Sequence, residues 1–297
     1  LREIIIVSGK GGAGKSSTTA SLSVLLNKSG KKITAVDSDV DAPNLSIILG
    51  TNITNYSKIK ASDKASIDFS KCTNCAKCIQ VCKADAIFDS KDEVPTIIPF
   101  LCEGCGACII VCPTDAISIN NVVNGRIGVA KTPYGFPIVS GQLDMGESSS
   151  GHIVTAVKSK GRKIAEESDS DLILVDGPPG IGCPVIASMT GADYALVVTE
   201  PTPAATLSLE RILSVLEHFK IPHSIVINRY DLNLEYTQHM EYFIKTKWNK
   251  TVFEKIPFDK NMLLSLSKRI PIVEYGPNSK ASQALQSLSN KILKVLL

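Results

Sequence analysis

The sequence contains no run of eighteen consecutive apolar residues, so no segment is expected to span a bilayer. It also has little net charge. Its 32 Lys and Arg against 29 Asp and Glu leave a formal +3, too small to argue for nucleic acid or an anionic membrane surface as partner. Histidine is scarce: His152, His218, His223 and His239 show no metal-ligand spacing, and surface or helix positions account for all four. The single tryptophan, Trp248, has no role assignable from its context. Residues 4–7 form an apolar run at the start of the sequence, so no signal peptide is expected. With 297 residues, the chain can bury a sizeable core as one large domain or two small ones.

Cysteine is abundant but confined. Of nine cysteines, eight lie between Cys72 and Cys112, which is unlike a scattered disulfide framework and points to metal in a reducing compartment. The expected location is the cytoplasm. Around this block the chain alternates between strand and helix patterns. Residues 3–7 read as a strand, Ser16 to Asn27 as a helix ended near Gly30, and Lys32 to Asp37 as a second strand, giving an opening βαβ unit. A polar stretch, 51–66, reads as a flexible linker carrying Ser57, Ser62, Asp63 and Ser66. After Asn120 the pattern resumes. Leu172–Asp176, Tyr194–Thr199 and Ser224–Asn228 resemble buried parallel strands, with helices at about 204–219 and 279–296. The expected fold is α/β, a mostly parallel sheet flanked by helices, formed by residues 1–60 and 121–297. Residues 61–120 are expected to be a small α+β insertion, because strands of one sheet occur on both sides of it.

Residues 8–17, SGKGGAGKSS, satisfy two phosphate-binding patterns at once. Gly9, Gly11 and Gly14 fit the dinucleotide motif, and Asp37 sits where a ribose-binding acid would be needed. That reading leaves Lys15 and Ser16 without work. In a P-loop, backbone N–H groups cradle the phosphates, lysine neutralises the terminal ones, and the hydroxyl binds Mg²⁺. Gly9, Gly14, Lys15 and Ser16 meet that pattern, with Gly12, Ala13 and Ser17 completing the loop. Magnesium also needs carboxylate help. Asp39 in VDSDVD and Asp176 in LILVDGPPG both end apolar strands, and the second has the Walker B arrangement. Asp41 reads as a switch or surface carboxylate without metal contact.

Lys10 places a second lysine inside the loop, and KGGAGKS resembles the deviant Walker A of the MinD/ParA/Mrp family, which includes the nitrogenase iron protein. DSDVDAPNL is similar to that family's switch I, DGPPGIG to its switch II, and IVINRY with IPFDKNM to its base-binding segments; together they cover residues 1–50 and 121–297. The resemblance implies a P-loop ATPase that sandwiches ATP in an ATP-dependent homodimer, or a heterodimer with a similar ATPase. Lys10 would reach the partner's phosphates and Lys15 those in its own subunit. Ser16 would bind Mg²⁺, Asp39 would position the attacking water, and Asp176 would support Mg²⁺ through water. Asn228, Arg229, Pro257 and Asp259 would surround the base. Asn228-Arg229-Tyr230-Asp231 has the shape of the GTPase N-K-x-D with arginine for lysine, so ATP is favoured on resemblance alone.

The cysteines form two runs, Cys72, Cys75, Cys78, Cys82 and Cys102, Cys105, Cys108, Cys112, followed by KADAI and PTDAI respectively. This resembles the bacterial two-cluster ferredoxin, in which three thiolates of one run share a [4Fe–4S] cluster with the fourth of the other. It implies one cluster on Cys72, Cys75, Cys78 and Cys112, and another on Cys102, Cys105, Cys108 and Cys82. Lys83 takes the place of the usual proline after Cys82, and a cation there would raise a nearby cluster's potential. Two Cys₄ zinc sites are the rival reading. The whole layout resembles MinD-type proteins with an inserted ferredoxin.

Cys183, in DGPPGIGCPV, stands at the offset of a bridging-cluster ligand in the nitrogenase iron protein, but the second ligand should fall near Ser148–Ser150. A lone cysteine is otherwise a small buried hydrophobe. Ala281, Leu285, Leu288, Ile292 and Val295 recur at helical spacing, with Lys291 and Lys294 as nearby cations. They read as a packing helix rather than a membrane anchor. Three functions compete: nucleotide-gated electron transfer to a redox partner, cluster assembly or delivery to an acceptor protein, and spatial positioning. Complete ferredoxin-type ligand sets favour the first.

Overall fold

The computed structural model describes residues 1–89, 94–147 and 150–296. Strand β1 (Arg2–Ser8) leads through the glycine loop into α1 (Lys15–Lys28), and β2 (Ile33–Asp37) completes the first crossover. Helix α2 (Leu45–Ile48) precedes β3 (Tyr56–Ile67). The cysteine segment then carries α3 (Lys77–Val81), β4 (Ile87–Phe88), β5 (Thr96–Ile97) and α4 (Ala107–Ile110). The chain returns through β6 (Ile117–Lys131), β7 (Pro137–Leu143), α5 (Ser150–Glu167), β8 (Leu172–Pro179), α6 (Cys183–Met189) and β9 (Tyr194–Thr199). It ends with α7 (Pro203–His218), β10 (His223–Asn228), α8 (Leu234–Trp248), β11 (Val252–Ile256), α9 (Asn261–Ser267), α10 (Ile272–Tyr275) and α11 (Lys280–Leu296).

Nine strands form one sheet in the order β11-β10-β9-β1-β8-β2-β7-β6-β3. Pairing is parallel from β11 to β7, and antiparallel only where β6 joins β7 and β3. The expected mostly parallel α/β sheet is therefore present. Strand β1, in the middle of the parallel part, alternates between two cores, as a strand covered on both faces must. Ile4 and Ile6 pack with α1 and α11, while Ile5 and Val7 pack with α5, α7 and α8. Ala281, Leu285, Leu288 and Ile292 of α11 are buried in the first core, which makes α11 a packing helix; Val295 is exposed. Trp248 packs at the edge of the second core. Among the described residues no helix is long and apolar enough to cross a membrane.

The polar stretch 51–66 differs from expectation. From Tyr56 onward it is not a flexible linker but an edge strand, paired antiparallel with β6 from Tyr56–Gly128 to Ile67–Ile117. The borders expected at 60/61 and 120/121 both fall inside this ribbon. Its alternation is weak because β3 has a partner on one side only, and lysines at Lys58 and Lys60 suit an exposed edge.

At the far end of the ribbon the two cysteine runs fold alike. Left-handed backbone recurs at Asn74 and Gly104, at Ala76 and Gly106, and at Asp85 and Asp115. Helices α3 and α4 follow at matching positions, and Ala86 and Ala116 donate their amides to Cys82 and Cys112 Sγ, both at 3.3 Å. A small core of Ala65, Cys78, Ala86, Ile87, Cys102, Cys108 and Ile117 joins the repeats.

Candidate functional site

The glycine loop sits at the carboxyl ends of the parallel strands, where open α/β sheets bind ligands. Gly12 and Gly14 adopt φ of 78° and 99°, a region that costs other residues strain. A side chain on Gly14 would begin 2.3 Å from Asn228 Nδ2. That same amide donates to Ala13 O at 2.9 Å, so the end of β10 holds the loop directly. Gly9 packs against α7, where a Cβ would lie 2.2 Å from Ser208 O.

Asp37, the last residue of β2, and Asp176, within β8, are register partners, and both are buried. Asp176 Oδ1 accepts from Thr19 Oγ1 at 3.1 Å, whereas its Oδ2 is buried without a hydrogen-bond partner among the described residues. Burial pushes the Asp176 carboxyl up to about 6, against the opposing effects of the Lys15 charge and of the nearby Ser16 and Thr19 hydroxyls. Lys15, Ser16, Thr19 and Asp176 thus converge at one point. Asp37 is also raised well above the ordinary carboxylate value, by burial and then by the Asp176 charge. Its oxygens accept from Leu45 N at 2.9 Å and Asp39 N at 3.3 Å, so Asp37 shapes the loop that carries Asp39. Asp39 is 9% exposed and raised by burial, while the nearby Lys15 charge opposes that rise. Asp41 is exposed, as a switch or surface carboxylate should be.

Lys10 does not stand free. Its ammonium pairs with Glu200 Oε1 at 2.6 Å, and the other oxygen of Glu200 takes Arg229 Nη1 at 3.1 Å. Glu200 was not legible as a site residue, although its place directly after the strand Tyr194–Thr199 was the available signal. Thr19 was missed for a similar reason, lying one helical turn beyond Lys15.

Beside the loop, a cavity of about 320 Å³ is lined by Gly14, Ser17, Asn228, Arg229, Pro257 and Asp259, among others. Every residue expected around a base therefore faces one space. Asp259 is also structural. Burial disfavours its charge, yet hydrogen bonds from Asn261 N and Ala281 N hold its carboxyl below the usual range. Asp231 Oδ1 accepts from Phe258 N at 2.6 Å, which engages one oxygen of that carboxylate. A larger cavity of about 580 Å³ opens near Lys32, Lys131 and Ser170, at the amino ends of β2 and β8, away from all of these groups.

The eight clustered cysteines divide between two pockets, and the division crosses the repeats. Cys72, Cys75, Cys78 and Cys112 line one; Cys82, Cys102, Cys105 and Cys108 line the other. Cys102 Sγ accepts from Ala65 N at 3.3 Å and Gly104 N at 3.4 Å. Among the described residues no group of three or more His, Cys, Asp or Glu is gathered to hold a single metal ion. Lys83, after Cys82, is exposed. Cys183 begins α6 and is exposed rather than a buried hydrophobe. It lies near the start of α5, since a Cβ on Gly151 would come 3.7 Å from Cys183 Cβ. Ser148 and Ser149, expected to mark a second ligand, lie outside the described residues.

An uncharacterized protein of Methanocaldococcus jannaschii is 36% identical over 292 residues, covering 98% of this chain and 96% of its own length. Among solved structures, the cell division ATPase MinD of Pyrococcus furiosus superposes with a TM-score of 0.62 at 22% identity, over 99% of both chains. MinD of Pyrococcus horikoshii, solved with Mg-ADP, gives 0.61 at 22% identity over 99% of this chain and 96% of its own. These two likenesses establish the fold. Residues 4–272 match the CobQ/CobB/MinD/ParA nucleotide binding domain, and the chain belongs to that family of P-loop ATPases.

Proposed function

We propose that this chain is an ATP-hydrolysing iron–sulfur protein in which nucleotide-driven dimer closure gates electron transfer through two [4Fe–4S] clusters. One observation carries the reading: eight cysteines form two sets of four that cross the repeats, on a two-stranded ribbon growing from the sheet of a P-loop ATPase.

The loop amides, Lys15 and Ser16 would hold the phosphates, as the neighbour bound to Mg-ADP suggests. The residues suit magnesium. Asp176 offers an unpartnered buried oxygen near the Ser16 hydroxyl, and Asp39 stands nearby within switch I. Asp39 would orient the attacking water. Lys10 would exchange Glu200 for the partner's phosphates on closure. Asn228, Arg229, Pro257 and Asp259 would enclose the base. Adenine is favoured because Asp231, the residue that would read guanine, does not line the cavity and has Oδ1 engaged by Phe258 N.

The cysteines suit a polynuclear cluster in donor chemistry as well as in number. Backbone amides donate to Cys82, Cys102 and Cys112 Sγ, the kind of outer contact that orients sulfur ligands and tunes what they hold. Each set of four would hold one cluster, supplying one-electron redox chemistry. Anaerobic purification with iron and sulfide analysis tests the ligand sets. Electron exchange measured with and without ATP tests the gating, and cluster transfer to an acceptor protein without electron exchange would favour the delivery reading instead.

A further inference from the structure

Lys64 is a buried cation that nucleotide chemistry does not use. It lies on β3 with 4% of its side chain exposed, between the second cysteine set and the body of the ATPase. Its ammonium donates to Cys102 O at 2.9 Å and pairs with Glu147 Oε2 at 3.3 Å. The next residue, Ala65, donates its amide to Cys102 Sγ. Gly104, in the same run, packs so closely on β3 that a Cβ would lie 2.2 Å from Asp63 O. The Cys102 end of the second set is therefore seated on β3. Among the described residues, no ion pair or hydrogen bond of this kind brings a buried cation to the first set. Glu103 also lines the second pocket but is exposed, so solvent screens its charge more than that of Lys64.

Glu147 belongs to the loop that leaves β7, and this loop is tied to switch I. Leu143 N donates to Val40 O at 2.9 Å, and Val40 directly follows Asp39. Asp144 N then donates to Asn124 O at 3.0 Å and Glu147 N to Asp144 O at 3.1 Å. A contiguous set of bonds thus runs from the switch to the carboxylate that compensates Lys64.

We propose that Lys64 is a positioning and charge-tuning residue for the Cys82, Cys102, Cys105 and Cys108 set alone, and that Glu147 makes it responsive to switch I. This rests on the iron–sulfur reading above. A buried positive charge favours the more negative, reduced state of whatever those thiolates hold, and a neighbouring carboxylate opposes it. The two sets are therefore not equivalent, although their sequences repeat.

The test is a potentiometric titration of the full-length protein, prepared anaerobically and read by EPR. In the parent, two midpoint potentials are expected. Lys64→Met moves one to lower potential and leaves the other in place, and Lys64→Arg restores it. Glu147→Gln moves the same one upward. Mg-ATP shifts that potential in the parent, and the shift is lost in Glu147→Gln. ATP binding is unchanged in all three variants. Two unmoved potentials in Lys64→Met, or two equal shifts, overturn the tuning role, and an ATP shift that survives Glu147→Gln overturns the link to switch I. If Lys64→Met does not fold, a potential that fails to rise in Glu147→Gln overturns the proposal by itself. A parent protein without iron refutes the underlying iron–sulfur reading, and is seen before any variant is made.

Discussion

Lys10 and Glu200 meet at 2.6 Å within one subunit, with Arg229 on the second oxygen of the same carboxylate. The lysine expected to serve a partner's nucleotide is thus held at home, 34% exposed, at the mouth of the glycine loop. Partly exposed pairs of this kind contribute roughly 0–1 kcal/mol, little enough for a phosphate to replace the carboxylate. Lys10→Ala should keep most ATP binding and lose dimer-linked hydrolysis. Glu200→Gln should form the ATP dimer at lower nucleotide concentration, read by analytical ultracentrifugation. Parental hydrolysis by the Lys10 variant would refute the cross-dimer role.

Lys15→Ala should abolish ATP binding in isothermal titration, because Lys15 is buried beside Asp39 and Asp176 and serves its own site. Gly14→Ala should act by another route. The new methyl would meet Asn228 Nδ2 at 2.3 Å with φ at 99°, costing about 1–3 kcal/mol in backbone strain before the clash is counted. A lowered thermal midpoint without nucleotide is the expected signature of Gly14→Ala. An unchanged midpoint would contradict the close approach.

The raised Asp176 carboxyl sets a pH dependence. Because its folded value, about 6, exceeds the usual 3.8, the folded protein binds this proton more tightly than the unfolded chain. Stability from this group is fully present below 3.8 and is lost as pH rises through about 6. Asp176→Asn keeps an acceptor for Thr19 and removes the buried charge. It should therefore stabilise the nucleotide-free protein above pH 6 and give no advantage near pH 4. In the parent, Mg-nucleotide affinity should weaken as pH falls through about 6, because the proton competes with the metal. Affinity independent of pH between 5 and 8 would contradict this.

Much of this site was legible in the sequence because its chemistry is local. The loop from Gly9 to Ser17 is contiguous, and Asp39 and Asp176 each follow an apolar strand that announces its own end. The crossed cysteine sets were legible because the run from Cys72 recurs at Cys102 with the same steps. What was not legible depends on the tertiary fold. The stretch 51–66 reads as a linker since the lysines and serines of its later part suit an edge strand with one partner, and only β6 reveals the pairing. Glu200, Thr19, Lys64 and Glu147 act through contacts with residues distant in the chain or one turn away. No local pattern marks them. Gly125 and Gly141 similarly make sense only against Ile153 and Val157, whose side chains would meet a Cβ at 2.6 and 2.2 Å.

The crossed cysteine sets make a specific prediction about metal. Anaerobic protein should carry about eight iron and eight sulfide per chain. Cys78→Ser and Cys112→Ser, in different runs, should lose the same cluster signal by EPR, while Cys102→Ser should lose the other. Stoichiometric zinc without absorbance near 400 nm would favour the zinc reading.

The central claim is that nucleotide state governs electron exchange, and stopped-flow reoxidation of the reduced, cluster-loaded protein by a one-electron dye and by candidate partner proteins tests it most directly. Asp39→Ala should trap the ATP-bound dimer, since it retains the phosphate loop and loses the residue that would orient water. The account predicts unchanged cluster spectra and different rates for nucleotide-free, ADP-bound and ATP-trapped protein. Equal rates in all three states, with every acceptor, would contradict it and leave the cysteine domain a passive tether.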